Sequence, residues 1–422
     1  MRVKPFGPQR DIILSKSRTI GAFAGKRGGK SEIGAVKSIT YQEQKPNSHF
    51  FEGGVDPYLG VVCAPTNDML KRLSWKKFRA YAAPFIKEQR KNPSEIDWCD
   101  GSEVIGISAD KPERLEGIKA GWIWIDEVFQ VKEHFFTECI ARVADTEGYL
   151  ICTGSLGTQY INPKNHWAYK YFKEGMIEDA ALFEWATADN PHFPKDEIER
   201  LKRTLDPVTF RQMFTITWDI TPSSAVYSDF SNDNIYQHNY NPNLPTYVAI
   251  DWGWTHPMAC GFFQYDHMRD IIYLFDEIIE QGLTIEDLFN KIKAKGYNIK
   301  EWYCDAAGDQ TRENTGISNV DWFWKHHKIA FKSRRTAITY GIPIVRTYIK
   351  NGIGQRKFLI DPRCRKSIDG IKNYRYPEKN GIIIDEKPVK EDDDACDMIR
   401  YYFVNRHDER YRNNLKVISQ RK

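Results

Sequence analysis

Short apolar runs alternate with stretches of helical character through the first half of the chain. Up to about residue 220 these runs are four to six residues long and fall at 19–24, 59–64, 122–125 and 149–152. Apolar strands that alternate with helices are typical of a parallel α/β sheet. We therefore predict an α/β domain over residues 1–220.

The pattern changes near residue 221, where turn-forming residues become frequent. The segments Thr221-Pro222-Ser223-Ser224 and Asn241-Pro242-Asn243-Leu244-Pro245 predict a linker over residues 221–245. A second domain is predicted over 246–405, followed by a basic tail over 406–422. The second domain opens with three apolar runs close enough to pair as a meander, and then a helix: 246–251, 258–263, 271–279 and 284–295.

Composition places the 422-residue chain among soluble globular proteins, because 41% of its residues are apolar and 28% are charged. No segment approaches the roughly 20 apolar residues that a membrane span needs, and the N-terminus lacks the apolar core of a secretory signal. The eight cysteines are scattered singly, which argues against a zinc site or a disulfide framework. We therefore expect a cytosolic protein with reduced cysteines.

A glycine-rich loop separates the first apolar run from a helical stretch. Its glycines would let backbone N–H groups surround phosphate oxygens, while Lys30 reaches the β/γ-phosphates and Ser31 binds Mg²⁺. The usual pattern begins with Gly where this chain has Ala24, and a glycine-rich turn without a nucleotide is the alternative. The loop predicts an ATP site made by residues 24–31: Ala24, Gly25, Lys26, Arg27, Gly28, Gly29, Lys30 and Ser31.

The apolar run at 122–125 ends in two acids, Asp126 and Glu127. A carboxylate at a strand tip can hold Mg²⁺ and the next one can polarise a water molecule, so Asp126 is the predicted metal partner and Glu127 the catalytic base. After the following run, the hydroxyl of Thr153 could sense the γ-phosphate. The alternative is a strand that runs into a solvated turn.

Four carboxylates in the second half of the chain form a second candidate site. Asp251 lies in an apolar strand, Asp305 ends another, and Asp394 and Asp397 share one face of a predicted helix. A carboxylate that faces inward from a sheet is costly unless it binds a cation. We rank Asp251, Asp305 and Asp397 as ligands for Mg²⁺ or Mn²⁺, with Asp394 as a fourth, in a site for two ions about 4 Å apart. The neighbouring acids at 392 and 393 are better explained as a charged helix N-terminus.

The net charge of +4 is unremarkable, so any affinity for nucleic acid must come from local basic patches. The tail holds six Lys or Arg against two Asp or Glu, and is either a solvated end or a contact for DNA or a docking partner. Basic residues also cluster within the second domain, and solvated charge is an equal alternative to DNA binding for them. The candidate DNA-binding residues are Lys332, Arg334, Arg335 and Lys366, which would contact phosphates with little base readout.

Together these motifs resemble the large terminase subunits of tailed bacteriophages. The resemblance spans nearly the whole chain: the loop GKRGGKS, an Arg-x-x-Gly turn at Arg114, WIWIDE, TGS, and an acidic C-terminal half in which Asp397-Met398-Ile399-Arg400-Tyr401 departs from the family's Asp-Ala-x-Arg-Tyr only at Met398. The fold it implies is α/β, with an N-terminal P-loop ATPase domain of the ASCE/RecA-like type and a C-terminal RNase H-like nuclease domain with a mixed sheet.

The resemblance also implies an activity and partners. Family members couple ATP hydrolysis to the translocation of double-stranded DNA into a procapsid and cut concatemeric DNA with divalent metal ions. They assemble as a homo-oligomeric ring on the portal protein, work with a small terminase subunit in the host cytoplasm, are absent from the mature virion, and need no membrane.

Two further residues take roles from the resemblance. Gln9 matches the glutamine that reads adenine, and Arg114 is the candidate arginine finger delivered to a neighbouring subunit. An ordinary surface arginine is the alternative for Arg114. Which of Lys26 and Arg27 contacts the γ-phosphate stays open. A helicase-nuclease of DNA repair and a non-cutting ATP-dependent DNA-binding protein are the alternative functions.

Overall fold

The computed structural model describes residues 4–54, 56–90, 94–157, 163–218, 224–253, 256–306, 317–379, 382–407 and 416–417. The chain divides into two compact units. Unit 1 comprises Met1–Ile198 and Arg211–Ile220, and unit 2 comprises Glu199–Phe210 and Thr221–Lys422.

Unit 1 is built on an eight-stranded sheet. Its strands are β1 (Thr19–Ala24), β2 (Leu59–Ala64), β3 (Ile86–Arg90), β4 (Glu95–Trp98), β5 (Glu103–Ser108), β6 (Trp122–Ile125), β7 (Tyr149–Gly154) and β8 (Ala181–Trp185). They lie in the order β3-β4-β5-β2-β6-β7-β1-β8. Six neighbouring strands, β5, β2, β6, β7, β1 and β8, are parallel, which confirms the predicted parallel sheet. Strands β3 and β4 add an antiparallel edge.

The helices of unit 1 are α1 (Gly7–Leu14), α2 (Lys30–Gln44), α3 (Asn67–Met69), α4 (Trp75–Ala82) and α5 (Glu133–Ala144). Two further helices, α6 (Lys195–Thr204) and α7 (Pro207–Phe214), each have residues in both units.

The alternation of residue type in β6 matches the two faces of the sheet. Trp122 and Trp124 are buried in one apolar cluster and Ile123 and Ile125 in another. Glycine makes room for the indole of Trp124, because a Cβ atom on Gly34 of α2 would lie 2.5 Å from its Nε1 atom. Strand β6 is therefore buried on both sides, and Asp126 emerges at its end.

Unit 2 contains a mixed seven-stranded sheet and a separate two-stranded one. The strands are β9 (Thr246–Asp251), β10 (Met258–Asp266), β11 (Ile271–Glu280), β12 (Ile299–Cys304), β13 (Phe331–Ser333), β14 (Phe358–Ile360), β15 (Glu378–Lys379), β16 (Ile382–Ile383) and β17 (Lys416–Val417). The large sheet has the order β14-β11-β10-β9-β12-β13-β17, and β15 pairs with β16. Strands β9, β10 and β11 form the predicted antiparallel meander, while β12 joins β9 in parallel.

The helices of unit 2 are α8 (Ile285–Ala294), α9 (Asn319–His327), α10 (Ile338–Ile349), α11 (Arg365–Asn373) and α12 (Asp394–Arg406). Helix α12 packs against β9, β10 and β12 as well as against α10 and α11. None of the helices in the described part of the chain is both long and apolar enough to cross a membrane.

Residues 224–245, where composition suggests a linker, are hydrogen-bonded to the rest of unit 2. The buried amide of Asn234 donates to the carbonyl oxygens of Ile349 and Phe358, both at 2.9 Å. The backbone N–H of Val226 donates to the carbonyl of Tyr374 at 2.8 Å. Residues 219–223, with the first part of the predicted linker, lie outside the described residues, as does most of the predicted tail.

Candidate nucleotide and metal sites

The glycine-rich loop connects β1 to the N-terminus of α2. Its backbone takes left-handed dihedrals at Arg27 (φ 65°) and Gly29 (φ 81°). Side chains outside the loop hold its carbonyl groups: the hydroxyl of Thr187 donates to Lys26 at 2.7 Å and the amide of Asn190 donates to Arg27 at 2.8 Å. A third donor, Trp185, reaches the carbonyl of Gly28 at 2.7 Å.

The loop thus leads into the first turn of α2, where backbone N–H groups have no acceptor within the helix and bind anions well. The three donors that hold the loop lie about 160 residues away in sequence. They could not be predicted from the sequence, because nothing near them in the chain indicates a nucleotide site.

Asp126 is the centre of a hydrogen-bond network and is only 1% exposed. Its carboxylate accepts from the hydroxyls of Ser31 at 3.1 Å, Ser74 at 2.8 Å and Thr153 at 2.7 Å. The indole of Trp124 in turn donates to the Thr153 oxygen at 2.8 Å. The predicted residues Ser31, Asp126 and Thr153 therefore come together, and Ser74 is an additional member that sequence reasoning did not identify.

Glu127 and Lys30 form an ion pair, with 3.2 Å between Lys30 Nζ and Glu127 Oε1. Their side chains are 22% and 9% exposed. Glu127 has left-handed dihedrals (φ 51°, ψ 45°), which turn the chain sharply at the end of β6. The predicted base and the predicted phosphate-binding lysine are thus in direct contact.

The other predicted residues of this site differ in exposure. Gln9 is buried on α1 and donates from Nε2 to the carbonyl of Gly29 at 3.0 Å, so it contacts the loop itself. Lys26 and Arg27 are both exposed. Arg114 is exposed on a 3-10 turn at Pro112–Leu115, and its side chain makes no hydrogen bond or ion pair with the residues that the structure describes.

The acids of unit 2 lie where the inner strands β9 and β12 end, and we call Asp251, Asp305, Asp394 and Asp397 the four-acid edge. Strands β9 and β12 are parallel neighbours in which Ile250 is opposite Cys304. Asp251, the last residue of β9, and Asp305, the residue after β12, therefore lie side by side at the carboxyl ends of these strands. Helix α12 begins with Asp394 and packs on both strands. Burial and the nearby carboxylates of Asp397, Asp305 and Asp394 raise the pKa of Asp251 well above its usual range. The structure therefore brings together all four acids predicted from the sequence.

Asp397 has a cationic partner within its own helix. Arg400 Nη2 lies 2.9 Å from Asp397 Oδ2, and Nε donates to Oδ1 at 3.3 Å. The hydroxyl of Tyr401 lies at hydrogen-bonding distance from the same carboxylate, 3.4 Å. Arg400 matters to the cluster because it is a positive charge among four acids, and the sequence analysis noted it only as part of a motif.

The four carboxylates offer the hard oxygen donors that Mg²⁺ and Mn²⁺ prefer, and a divalent cation would relieve their mutual repulsion. The donor set therefore suits such an ion chemically. Within the described ranges, however, no three His, Cys, Asp or Glu side chains are arranged around one point so that they could hold a metal ion together.

The predicted DNA-binding residues fall into two groups. Lys332 is paired with Glu301 at 3.0 Å, and Lys366 donates to the carbonyl of Ile279 at 2.6 Å. Arg334 and Arg335 instead line a cavity beside Asp305.

Comparison with known proteins finds no matching family model and no matching curated protein. Solved structures do match. The large terminase from a thermophilic bacteriophage superimposes with a TM-score of 0.58 at 15% identity, covering 95% of this chain and 98% of that one. The same terminase in complex with ATP-γ-S gives a TM-score of 0.55 at 15% identity, covering 94% and 98%.

One chain thus joins two units: an α/β unit with a P-loop, and a mixed-sheet unit with the four-acid edge. More particularly, the fold is that of a large terminase along almost the whole chain. The predicted α/β fold class and the resemblance drawn from the motifs are thereby confirmed at the level of the fold.

Proposed function

We propose that this protein is the large terminase subunit of a tailed bacteriophage, which couples ATP hydrolysis to the translocation of double-stranded DNA into a procapsid and cuts concatemeric DNA. The observation that carries the proposal is the presence of both candidate sites, the Asp126 network and the four-acid edge, in one chain with a terminase fold. A protein that both moves and cuts acts on a polymer.

Unit 1, with the predicted boundary near residue 220, is the ATPase in this proposal. Lys30 leaves Glu127 to bind the β/γ-phosphates, and Glu127 is then available to accept a proton from the attacking water. Ser31 and Asp126 would hold Mg²⁺, which neutralises phosphate charge. Thr153 would sense the γ-phosphate by turning its hydroxyl proton from Asp126, to which it now donates, to a phosphate oxygen.

The exposed basic residues of unit 1 have separate tasks. Lys26 or Arg27 contacts the γ-phosphate from within the loop, and Arg114 acts on the site of a neighbouring subunit in a ring. The exposure of Arg114 supports a role in trans, since the side chain is available to a partner. Gln9 is close enough to the loop to contact the adenine of a bound nucleotide.

Unit 2 is the nuclease, with its catalytic domain predicted over residues 246–405. Asp251, Asp305 and Asp397, with Asp394 as a fourth ligand, would hold Mg²⁺ or Mn²⁺; two such ions would supply activation of a water molecule and charge stabilisation of the leaving 3′-oxygen. Arg400 and Tyr401 orient the carboxylate of Asp397 and limit the negative charge of the cluster.

We further propose partners and a place of action. The ring assembles on the portal protein of the procapsid, the small terminase subunit presents the DNA, and the complex works in the cytoplasm of the host. The support for these proposals is the terminase fold alone.

Cutting of supercoiled plasmid by the full chain tests the nuclease proposal. With Mg²⁺ or Mn²⁺ we expect nicked and linear products, none with EDTA, and a loss of at least about 100-fold in Asp251→Asn and Asp397→Asn because each removes a ligand charge. Glu127→Gln should cut normally and serves as the matched control. Normal cutting by Asp397→Asn would refute the metal site.

A further inference from the structure

The helical segment that follows β2 brings a polar side chain to the nucleotide site. It runs without a break through α3, a π-helical turn at Leu70–Ser74, and α4. Ser74, the last residue of the turn, is 1% exposed. Its buried neighbours on this segment are apolar and belong to one core cluster: Leu70, Trp75, Phe78 and Ala82. A hydroxyl on this apolar face is costly to bury unless it has a partner.

The π turn lies at the residue that contacts the site. The backbone N–H of Trp75 donates to the carbonyl of Leu70, five residues earlier, so the turn holds one residue more than an α-helical turn. Ser74 and Trp75 are consecutive and both are buried. Single π turns inside α-helices occur frequently at functional sites. The helix thus departs from regular geometry where it reaches Asp126.

The partner of the Ser74 hydroxyl is Oδ2 of Asp126. Ser74 donates to this oxygen at 2.8 Å, from 52 residues away in the sequence. The other oxygen, Oδ1, accepts from three donors: the hydroxyls of Ser31 at 3.1 Å and Thr153 at 2.7 Å, and the backbone N–H of Glu127 at 3.1 Å. Within the part of the chain that the structure describes, Ser74 is the only donor to Oδ2. Ser74 therefore holds one of the two carboxylate oxygens by itself.

The orientation of Asp126 decides what the Ser31 hydroxyl can do. Ser31 directs its proton to Oδ1, so the lone pairs of its oxygen remain for a cation. Without Ser74, Oδ2 would be a buried carboxylate oxygen with no donor, and the cost of desolvation would favour rotation of the carboxylate towards other donors. Such a rotation would disturb the bond between Oδ1 and Ser31. The bond from Ser74 thus fixes the hydroxyl that the proposed ATPase uses for Mg²⁺.

We propose that Ser74 is a positioning residue that sets the affinity of the nucleotide site for Mg²⁺ by holding the Asp126 carboxylate. The inference rests on the proposed ATPase function and adds to it a residue outside the P-loop and the acidic end of β6. In this role Ser74 acts through Asp126 and not by contact with the ion. Residues that hold a metal ligand in place through hydrogen bonds contribute roughly 10- to 100-fold to metal affinity.

Nucleotide binding by the full chain, with and without Mg²⁺, tests this role without any turnover. The Kd of a non-hydrolysable fluorescent ATP analogue would be measured in EDTA and in millimolar Mg²⁺, and the ratio of the two values reports the coupling between metal ion and nucleotide. Ser74→Ala should reduce this ratio about tenfold, the lower end of the range for such residues. Its Kd in EDTA should stay within about twofold of the parent value, because the change acts only through the metal ion.

Ser108→Ala is the matched control. Ser108 is a serine of unit 1 at the end of β5, is also 1% exposed, and has no hydrogen-bond partner for its hydroxyl among the described residues. Its removal breaks no hydrogen bond and should leave the ratio within about twofold of the parent value. Ser74→Cys keeps the size of the side chain but offers only a weak donor, and should lower the ratio by about threefold. If urea unfolding shows that Ser74→Ala does not fold, Ser74→Cys decides the test.

The results separate this inference from the proposed ATPase function. A parent chain with the same Kd in EDTA and in Mg²⁺ would refute a metal-dependent nucleotide site. If the parent depends on Mg²⁺ while folded Ser74→Ala and Ser74→Cys keep its ratio, the positioning role fails and the ATP site stands. An equal fall in the ratio for Ser108→Ala would also overturn the role, because the loss of any buried hydroxyl would then have the same effect.

Discussion

At the scale of single residues, the contact between Lys30 and Glu127 is the most informative pair in unit 1. In the proposed mechanism, Glu127 is the base and Lys30 binds phosphate, so the ion pair between them would weaken Glu127 as a proton acceptor while it persists. Phosphate oxygens would compete with Glu127 for the same ammonium group. We therefore propose that activation of the base depends on nucleotide binding.

Glu127→Gln should separate binding from hydrolysis. We expect ATP turnover to fall about 10²- to 10⁴-fold, because the general base is lost. Binding of a fluorescent ATP analogue should persist or tighten, because Lys30 no longer has an anionic partner. Lys30→Ala is the control that should lose both. Lost binding in Glu127→Gln would show that the carboxylate has a structural role in the loop.

The buried His166 should make the stability of unit 1 depend on pH. Burial lowers the pKa of His166 from 6.5 to about 4, and its Nδ1 accepts from the N–H of Ala168 at 3.1 Å, which requires that nitrogen to be unprotonated. The folded state thus binds a proton less well than the unfolded state. The stability that the neutral ring contributes is fully present above pH 6.5 and is lost as the pH falls towards 4, by up to about 3 kcal/mol.

Urea unfolding at pH 7.5, 5.5 and 4.5 checks this dependence. The difference in unfolding free energy between the parent and His166→Asn should shrink by about 2–3 kcal/mol across that range, because Asn does not titrate. A constant difference for His166→Asn would contradict the assigned cause.

At the scale of elements, the sequence identified several strands that are buried on both faces and missed others, among them the exposed β3 and the partly buried β5. The observed limits of β1, β2, β6 and β9 are those predicted, because all four are apolar runs buried on both faces. Strand β3 has the sequence IKEQR and is largely exposed, so no apolar pattern marks it. Burial leaves a signature in sequence that an exposed edge strand does not.

Because α10 packs on α12, a substitution at a glycine of α10 should affect the proposed nuclease site. Gly341→Ala would place a methyl group 2.6 Å from Arg400 Cγ, and the arginine stem would have to move. We expect a loss of stability of about 1–3 kcal/mol and slower plasmid cutting, with ATP turnover unchanged. Thr339→Ala, at an exposed position of α10, should change neither the stability nor the rate of plasmid cutting. Normal cutting by a folded Gly341→Ala would mean that the position of Arg400 is unimportant.

At the scale of the whole molecule, the proposed motor needs contacts that a single chain lacks. The exposed Arg114 is the residue through which one subunit would complete the site of the next. Arg114→Ala should leave ATP binding by the isolated chain within about twofold of the parent. ATP turnover by assembled complexes should fall about 10³- to 10⁵-fold, as for the loss of an arginine finger.

Turnover measured with and without procapsids separates these effects. Arg72→Ala removes another exposed arginine of unit 1, whose side chain is 76% exposed, and should leave both measurements unchanged. Weakened binding by the isolated Arg114→Ala chain would place the residue in its own subunit's site, or in a structural role.

The sequence by itself determined the local features of this protein: several strands buried on both faces, the glycine-rich loop, the acids at strand ends and the helix that carries Asp394 and Asp397. Each of these depends on burial, periodicity or turn chemistry within about ten residues, which a single chain displays directly. The tertiary structure decided what no local pattern contains. It joined Ser74 to Asp126, tied residues 224–245 to unit 2, paired Asp397 with Arg400 and set three arginines around one cavity. Apart from the pair within α12, these contacts join segments far apart in sequence, and they depend on strand order and helix packing.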